Sequence, residues 1–340
     1  MSTFKTFHEN TALTKARRPV AGLLSVATIG LAAVSPTAGA AQDATDYPQE
    51  QIRLVIPYAP GGGTDIVFRL AAQEMEADLS EPVVVINMPG AATTLGSREV
   101  RDADPDGYTI LGSHDTIATA YISGVVDYSF DAFIPIALLT QTPNMAAINS
   151  DLGLDSLEEF RNYIIENPGE LAWGITPGST SHFFAVMMMD AMGVPEDALR
   201  LITYEGTGDS MAGVMRGEIV GTMVNVASAK SMFEEGTFVP LAVAHPDRLP
   251  QVPDTPTFME LGYDMVHATS RGLFAPLGTP DPIIARLAEA AEATTASEDF
   301  NQRIEDDLGS VVKYMPPDEY ETFVTDLQAR LSDIAERIDM

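Results

Sequence analysis

Cysteine is absent from this 340-residue chain, and positively charged residues are scarce. Without cysteine the protein has no disulfide, no thiolate ligand for a metal and no attachment point for a lipoprotein anchor. Only 19 lysines and arginines stand against 49 aspartates and glutamates, which gives a net charge of −30. A surface of this sign repels phosphate groups, so the composition argues against nucleic acid and anionic lipid as partners.

Long apolar runs are also missing, apart from a short one near the N-terminus. Four basic residues lie within positions 5–18, residues 20–34 are mostly apolar, and Ala38-Gly39-Ala40 supplies small residues for cleavage. This pattern predicts a secretory signal peptide over residues 1–40, cleaved near Ala40, because the apolar run is too short to span a membrane. Its removal takes away four basic residues and one acid, so the net charge falls from −30 to −33. We therefore expect a periplasmic protein, secreted across the cytoplasmic membrane.

Residues 53–69 are the most informative stretch of the chain. A short apolar run predicts a buried parallel strand, and three consecutive glycines (Gly61, Gly62 and Gly63) follow it. Thr64 is a favourable N-cap for the next helix, and Asp65 suits the first turn. Glycines and a helix N-terminus bring backbone N–H groups to one spot, which predicts half of an anion-binding cleft. A plain strand-to-helix turn without a ligand is the alternative; the Gly-Lys-Ser/Thr ending of a nucleotide P-loop is missing.

The same arrangement returns further along the chain. Apolar strands end in small or polar residues at 113–116, 176–182, 205–209 and 225–230. Strands that alternate with helices predict an α/β protein with a mostly parallel sheet. Ligands of such sheets bind outside the carboxyl ends of the strands. Two lobes that face each other with these loops form a cleft of N–H donors and hydroxyls, which takes an anion without lysines.

Motifs for catalysis and metal binding are weak. Residues 102–107 imitate the start of a calcium loop, but the twelfth position is Ser113 rather than glutamate and a strand follows. Ser181 and His182 are adjacent, yet the chain has no nucleophile elbow, so a hydrolase is not indicated. No histidines show the spacing of metal ligands. We therefore expect no enzyme activity, no metal and no cofactor.

Six segments, in order, resemble the periplasmic substrate-binding subunits of tripartite tricarboxylate transporters, known as the Bug family. The matching segments are residues 55–65, residues 83–90 with their Asn-x-Pro-Gly, and residues 105–109, 178–182, 253–256 and 272–280. The resemblance covers roughly residues 47–335. Before Gly272 the family often has an aromatic residue, whereas this chain has Arg271.

The resemblance implies an α/β, two-lobed, type II periplasmic-binding-protein fold with the ligand cleft between the lobes. Lobe 1 is expected to comprise residues 47–142 plus 269–340, and lobe 2 residues 143–268. It also implies a monomeric receptor that binds a small organic anion and delivers it to integral-membrane permease subunits. Dicarboxylates, tricarboxylates, acidic amino acids and aromatic acids are the expected ligands. A ligand-presenting sensor for a membrane signalling receptor is an alternative with the same fold, and a periplasmic hydrolase or isomerase is the remaining one.

Carried over by motif and by loop position, the resemblance indicates a set of ligand-binding residues. These are Tyr58, Ala59, Gly61, Gly62, Gly63, Thr64, Asp65, Ser113, Thr116, Thr176, Ser179, Thr180, His182, Tyr204, Thr207, Asn225 and Arg271. Two of them have alternative explanations. Arg271 is either a bidentate partner of a second ligand carboxylate or a hinge arginine paired with a surface acid. Asp65 is either a helix-end acid or a partner for a ligand amino group. Trp173, the only tryptophan, ends a predicted strand beside the second-lobe loop, so its fluorescence is expected to report closure.

Overall fold

The computed structural model describes residues 46–90, 93–306 and 308–337, all within one compact unit. The predicted signal peptide lies outside the described residues. Two β-sheets with helices on their faces make up the described chain. Its helices are α1 (Gly63–Leu79), α2 (Thr94–Arg101), α3 (Thr116–Ile122), α4 (Leu157–Glu166), α5 (Thr180–Ala191), α6 (Thr207–Met215), α7 (Val226–Glu234), α8 (Asp281–Ala296), α9 (Glu298–Asp306) and α10 (Pro317–Arg337).

The first sheet takes its strands from both ends of the described chain. They are β1 (Ile52–Ile56), β2 (Val83–Asn87), β3 (Thr109–Ser113), β4 (Phe133–Pro143), β10 (Ala268–Pro276) and β11 (Val311–Met315), in the order β11-β4-β10-β3-β1-β2. The second sheet takes its strands from the middle. They are β5 (Met145–Asn149), β6 (Ala172–Ile175), β7 (Arg200–Thr203), β8 (Gly221–Val224) and β9 (Phe238–Val243), in the order β7-β6-β8-β5-β9.

The pairing of the strands corrects one prediction from the sequence. Strand β1 runs parallel to β2 and β3, and β6 runs parallel to β7 and β8. The other pairings between named strands are antiparallel, so the sheets are mixed and the expectation of a mostly parallel sheet is wrong. The reason is that β4 and β10 carry the chain out of the first sheet and back again, and therefore run in opposite directions.

Two crossing segments join the sheets and are hydrogen-bonded to each other. One is Asn144 between β4 and β5, and the other is residues 244–267 between β9 and β10. The N–H of Asn144 donates to the carbonyl of His267 at 3.1 Å, and its own carbonyl accepts from Ala244 at 2.8 Å. The Asn144 side chain also lies 2.9 Å from Nδ1 of His267. All the peptide links between the sheets therefore pass through one narrow, hydrogen-bonded region.

Helix α1 is held in place by close packing against the first sheet. Phe68 and Met75 on its inner face are fully buried. Phe68 lies against Gly112 of β3, where a Cβ atom would approach the phenyl ring to 2.9 Å. A larger residue at position 112 would push α1 outward, so this glycine sets how closely the helix N-terminus approaches the ends of β1 and β3.

The sequence pattern did not reveal α9 or β11, and it misplaced the cap of α1. Strand β11 pairs with β4, about 170 residues earlier in the chain, through Val311 with Gln141 and Val312 with Thr140. Such a short strand depends on a distant partner more than on its own propensity. The N-cap of α1 is Gly62 rather than Thr64, whose side chain is used elsewhere, as described below.

Candidate functional site

The glycine loop after β1 is shaped by the side chain of Asp65. Its carboxylate accepts the N–H of Gly61 at 2.8 Å, Nε of Arg69 at 2.9 Å and Nδ2 of Asn87 at 2.8 Å. Burial acts to raise the pKa of Asp65, but these hydrogen bonds from Arg69, Gly61 and Asn87 outweigh it and the pKa is lowered. Gly61 has φ of +80°, a conformation that glycine adopts without strain. Asp65 therefore stabilises the loop as an anion, which leaves its oxygens little capacity for a ligand amino group.

The N-terminus of α1 leaves several backbone donors open. Gly62, its N-cap, has no side chain to accept a hydrogen bond. The first N–H with a helical acceptor is that of Ile66, which donates to Gly62 at 3.0 Å. Among the described residues, the N–H groups of Gly63, Thr64 and Asp65 have no acceptor. These donors, together with the positive end of the helix dipole, form a site for a negative charge.

Arg271 lies beside these open donors and is almost completely buried. Its Nε donates to Oγ1 of Thr64 at 3.0 Å, and its Nη1 donates to Oγ1 of Thr142. The third nitrogen, Nη2, lies 3.8 Å from the position that a Cβ atom on Gly63 would occupy. No carboxylate of the described residues forms an ion pair with Arg271. This excludes the alternative of a hinge arginine paired with a surface acid within the described residues.

Burial removes water from the charged guanidinium of Arg271, and this loss of hydration lowers its pKa. Burial lowers the pKa to about 10, while the nearby Tyr58 and Asp115 act in the opposite direction. Only 6% of the residue is exposed, so water solvates the guanidinium poorly. A buried charge without a counter-ion is expensive unless a partner arrives. The free N–H groups of Nη2 and of α1 are therefore prepared for an anion.

The end of β3 adds neutral polar groups to the same wall. The hydroxyl of Tyr58 lies 3.2 Å from Oγ of Ser113, and the Tyr58 ring stacks on His114 with 4.4 Å between centroids. Nδ1 of His114 is 3.1 Å from Oγ1 of Thr116. Burial raises the pKa of Tyr58 to about 12 and holds the pKa of His114 well below its usual value. Both side chains are therefore neutral at physiological pH and present hydrogen bonds rather than charge.

Two residues that the sequence did not single out belong to this wall. Thr142 in β4 binds Arg271 and also lies 2.6 Å from Oγ of Ser310. Asp115, in the loop after β3, is buried and accepts the N–H of Ser270 at 3.1 Å. Burial raises the pKa of Asp115 to about 7. Thr142 carried no signal of its own, whereas Asp115 lies inside the predicted loop at residues 113–116.

The loop after β6 is closed by its own hydrogen bonds. Oγ of Ser179 donates to the carbonyl of Thr176 at 2.7 Å and caps α5 by accepting the N–H of Ser181. Nδ1 of His182 accepts the N–H of Gly178 at 3.3 Å, and burial lowers the pKa of His182. Thr180 is the first residue of α5. Capping and turn hydrogen bonds engage Ser179 and His182, so these side chains stabilise the conformation of the loop.

This second-sheet loop touches the first-sheet side of the molecule. A Cβ atom on Gly178 would lie 2.5 Å from Oγ of Ser123, at the end of α3. A second contact joins Gly309, just before β11, with Val226 at the start of α7. Asn225 caps α7 and is the neighbour of Val226 in the chain. On the other side of the contact, Ser310 follows Gly309 and is hydrogen-bonded to Thr142, which accepts from Arg271.

Three candidates form no hydrogen bond with Arg271 among the described residues. The hydroxyl of Tyr204 donates to Glu218 at 3.1 Å, beyond the C-terminal end of α6. Thr207 begins α6 and lines an open groove together with Asn225. Ala59 is exposed and has no side-chain polar group, so only its backbone can contribute. The structure thus brings together Tyr58, Gly63, Thr64, Ser113 and Arg271, whereas the hydroxyl of Tyr204 is bound to Glu218 instead.

Two further observations concern the chain as described. No helix among the described residues combines the length and the apolar character that crossing a membrane requires. Within the same ranges, no three histidine or acidic side chains cluster closely enough to bind a metal ion.

Two mixed sheets with helices on their faces, joined by two crossing segments, are a two-lobed, type II periplasmic-binding-protein fold. The family model described as tripartite tricarboxylate transporter family receptor matches residues 67–340. The chain belongs to this family, which includes the Bug proteins.

Individual relatives agree with this family assignment. A UPF0065 protein of Bordetella pertussis is 30% identical over 292 residues, which cover 83% of this chain and 87% of that protein. The solved structure of the periplasmic binding protein BugD is 28% identical with a TM-score of 0.70, and covers 86% of this chain and 98% of its own. The structure of MatC from Rhodopseudomonas palustris with bound malate is 30% identical with a TM-score of 0.71, and covers 85% of this chain and 99% of its own.

Proposed function

We propose that this protein is a periplasmic solute receptor that binds a small organic anion between its lobes and delivers it to a membrane permease. One carboxylate of the ligand pairs with Nη2 of Arg271 and with the open N–H groups of Gly63 and Thr64. The observation that carries the proposal is a buried guanidinium without a carboxylate partner beside an uncapped helix N-terminus.

The chemistry of the remaining wall supports a carboxylate with further oxygen atoms. Tyr58 and Ser113 offer hydroxyls next to the cation, and burial keeps the Tyr58 hydroxyl neutral by raising its pKa. A ligand hydroxyl or second carboxylate can exchange hydrogen bonds with them. The malate bound to the related MatC is a ligand of this type. Charge-assisted hydrogen bonds to a desolvated arginine are stronger than those between neutral groups, so the arginine supplies most of the affinity.

The lobe boundaries inferred from the resemblance suit this proposal. Residues 47–142 with 269–340 would carry Arg271 and the α1 N-terminus, and residues 143–268 would carry the loop after β6. Closure around the ligand would use the crossing segments at Asn144 and His267 as the hinge. A monomer presents the closed form to the permease.

Calorimetric titration of the purified chain with mono-, di- and tricarboxylates, aromatic acids and acidic amino acids tests the proposal. We expect at least one to bind with a dissociation constant of about 1 μM or lower. Arg271→Ala should weaken this binding by about 100-fold, because it removes the only cation of the wall. Arg53→Ala, which removes a half-buried arginine of β1 that pairs with Glu99 of α2, is the matched control and should bind normally. Absence of binding by every anion, or equal affinity of Arg271→Ala and the native chain, refutes the proposed site.

Delivery to a permease needs a separate measurement. Uptake of the identified ligand by membrane vesicles that contain the partner permease should require this protein. A ligand-dependent response of a membrane sensor without any uptake would instead favour the sensor alternative.

A further inference from the structure

A cavity of about 500 Å³ lies on the other side of β10 from Arg271. Ser270 lines this cavity, whereas Arg271, the next residue, does not, because successive side chains of a strand point to opposite faces. Of the residues discussed so far as candidate ligand contacts, only Asp115 and Thr180 contribute to its lining. Its volume lies within the range of natural small-molecule sites.

Strand β11 and helix α5 each contribute side chains from one face to the lining of this cavity. Val311, Lys313 and Met315 line it from β11, at alternating positions of the strand. Phe183 and Met187 line it from α5, at positions four residues apart. Both patterns are those of faces that normally pack against other protein atoms. Here Val311 and Met315 are only partly buried, whereas Phe183 and Met187 belong to the hydrophobic core and border the cavity from that side.

Helix α10 contributes a third face to the lining of the cavity. Phe323, Leu327, Arg330 and Leu331 follow helical spacing and all line the cavity. Phe323 and Leu327 are only partly buried although they are large and apolar. Large apolar side chains that are only partly buried and line a concave space form the kind of wall that small-molecule sites use.

The charges beside the cavity are unusual for this chain. Lys313 and Arg330 are both exposed, and neither forms an ion pair with a carboxylate of the described residues. The carboxyl groups of Asp115 and Asp247 line the cavity as well, so basic and acidic side chains are equal in number there, although acidic residues outnumber basic ones by 49 to 19 in the chain. Relative to the rest of the chain, this cavity is rich in positive charge, which favours an external anion.

We infer that this cavity is a second ligand site, which binds an amphipathic organic anion. Its aliphatic part packs among Phe183, Met187, Phe323 and Leu327, and its carboxylate pairs with Lys313 and Arg330. The inference stands independently of the proposed receptor site, since Arg271 and the glycine loop take no part in it. Asp115 also lines the cavity, but burial raises its pKa to about 7 and its carboxyl is held by the N–H of Ser270, so it opposes an anion only weakly near neutral pH.

A ligand in this cavity would touch both halves of the molecule. Helix α5 belongs to the second-sheet side, whereas α10 and β11 belong to the first-sheet side. The crossing segment itself contributes His245 and His267. A ligand in the cavity would therefore favour one relative position of the sheets and change the affinity of the receptor site. By reciprocity, a ligand in the receptor site would change the affinity of the cavity by the same factor.

Octanoate is the probe for this site, with acetate and octylamine as controls. Calorimetric titration of the native chain and of Arg271→Ala should show octanoate binding in both, and acetate should bind neither at this site. The double variant Lys313→Ala/Arg330→Ala should weaken octanoate binding by about tenfold. The double variant Lys230→Ala/Arg98→Ala removes two exposed cations elsewhere and is the matched control, expected to bind normally. Leu327→Trp should also weaken binding, because the larger ring fills the cavity.

Three outcomes would overturn the inference. They are no octanoate binding by the native chain, equal octanoate affinity in the cavity variants and in the matched control, and octylamine binding as tight as octanoate binding. If Arg271→Ala lost octanoate binding while the cavity variants kept it, octanoate would bind at the receptor site, and this result would also count against the second site. Failure of the receptor proposal shows separately, as absence of binding by the small carboxylates.

Discussion

Nε of Arg271 donates to Oγ1 of Thr64 at 3.0 Å, although the two residues are 207 positions apart. This hydrogen bond joins β10 to the first turn of α1. It explains why Thr64 does not cap the helix: its hydroxyl orients the guanidinium instead. The contact fixes two sources of positive potential, the arginine and the helix N-terminus, at one place.

Arg271 is expected to favour ligand binding at the expense of stability. Arg271→Met keeps much of the side-chain volume but removes the buried charge, so we expect the ligand-free protein to become more stable by about 1–3 kcal/mol. Carboxylate binding should be lost at the same time. Denaturant unfolding without ligand measures the first effect and calorimetry the second. A Met variant that is clearly less stable would show that the hydrogen bonds to Thr64 and Thr142 outweigh the cost of burial.

Gly63 is expected to leave room for the ligand rather than to permit a special backbone conformation. A Cβ atom at this position would clash with nothing in the free protein and would point toward Nη2 of Arg271. Gly63→Ala should therefore reduce carboxylate affinity moderately, and Gly63→Val should reduce it by about 100-fold, with stability changed by less than about 1 kcal/mol.

Gly61 provides the contrast within the same loop. It has φ of +80°, so Gly61→Ala should destabilise the protein by about 1–2 kcal/mol through backbone strain. Thermal unfolding distinguishes the two glycines. Equal affinity of Gly63→Val and the native chain would place the anion elsewhere.

Asp115 should make carboxylate binding depend on pH. Burial raises its pKa from 3.8 to about 7, so the folded protein keeps a proton that the unfolded chain releases. Stability attributable to this residue is therefore greatest at low pH and falls as the pH rises toward 7. Above pH 7 the carboxylate is charged and attracts the Arg271 guanidinium, in competition with the ligand.

We accordingly expect carboxylate affinity to fall by about threefold to tenfold between about pH 6 and about pH 8. Tyr58 and His114 do not titrate in this range, because burial holds the pKa of each away from it. Asp115→Asn should make the pH profile flat in calorimetric titrations. A profile with the same slope in Asp115→Asn would assign the effect to another group.

Much of the fold follows from local sequence signals. The apolar run that ends at Ile56 and the three glycines after it predict β1, the loop and the helix that follows, and the structure has all three. The α/β class follows in the same way from alternating strands and helices. Pairing direction did not follow, because whether β10 lies antiparallel to β4 depends on how the chain crosses between the sheets.

Trp173 illustrates the limit of reasoning from loop position. Its place near the loop after β6 suggested a fluorescent reporter of closure. In the structure its ring is fully buried, with 5.9 Å between its centroid and that of Phe160. The sequence pattern does not tell on which side of β6 the Trp173 side chain lies. In the structure it lies on the side of the core, so its fluorescence reports the core rather than closure.

The sequence by itself determined the family, the strand–glycine–helix element at the site and the poverty of positive charge that makes any buried cation significant. Only the tertiary structure decided that Arg271 is that cation. Its role depends on Thr64 and Thr142, which are distant in the chain, and on the absence of an ion-pairing carboxylate among the described residues. Burial and pairing are properties of three-dimensional packing, and a single sequence position carries no record of either.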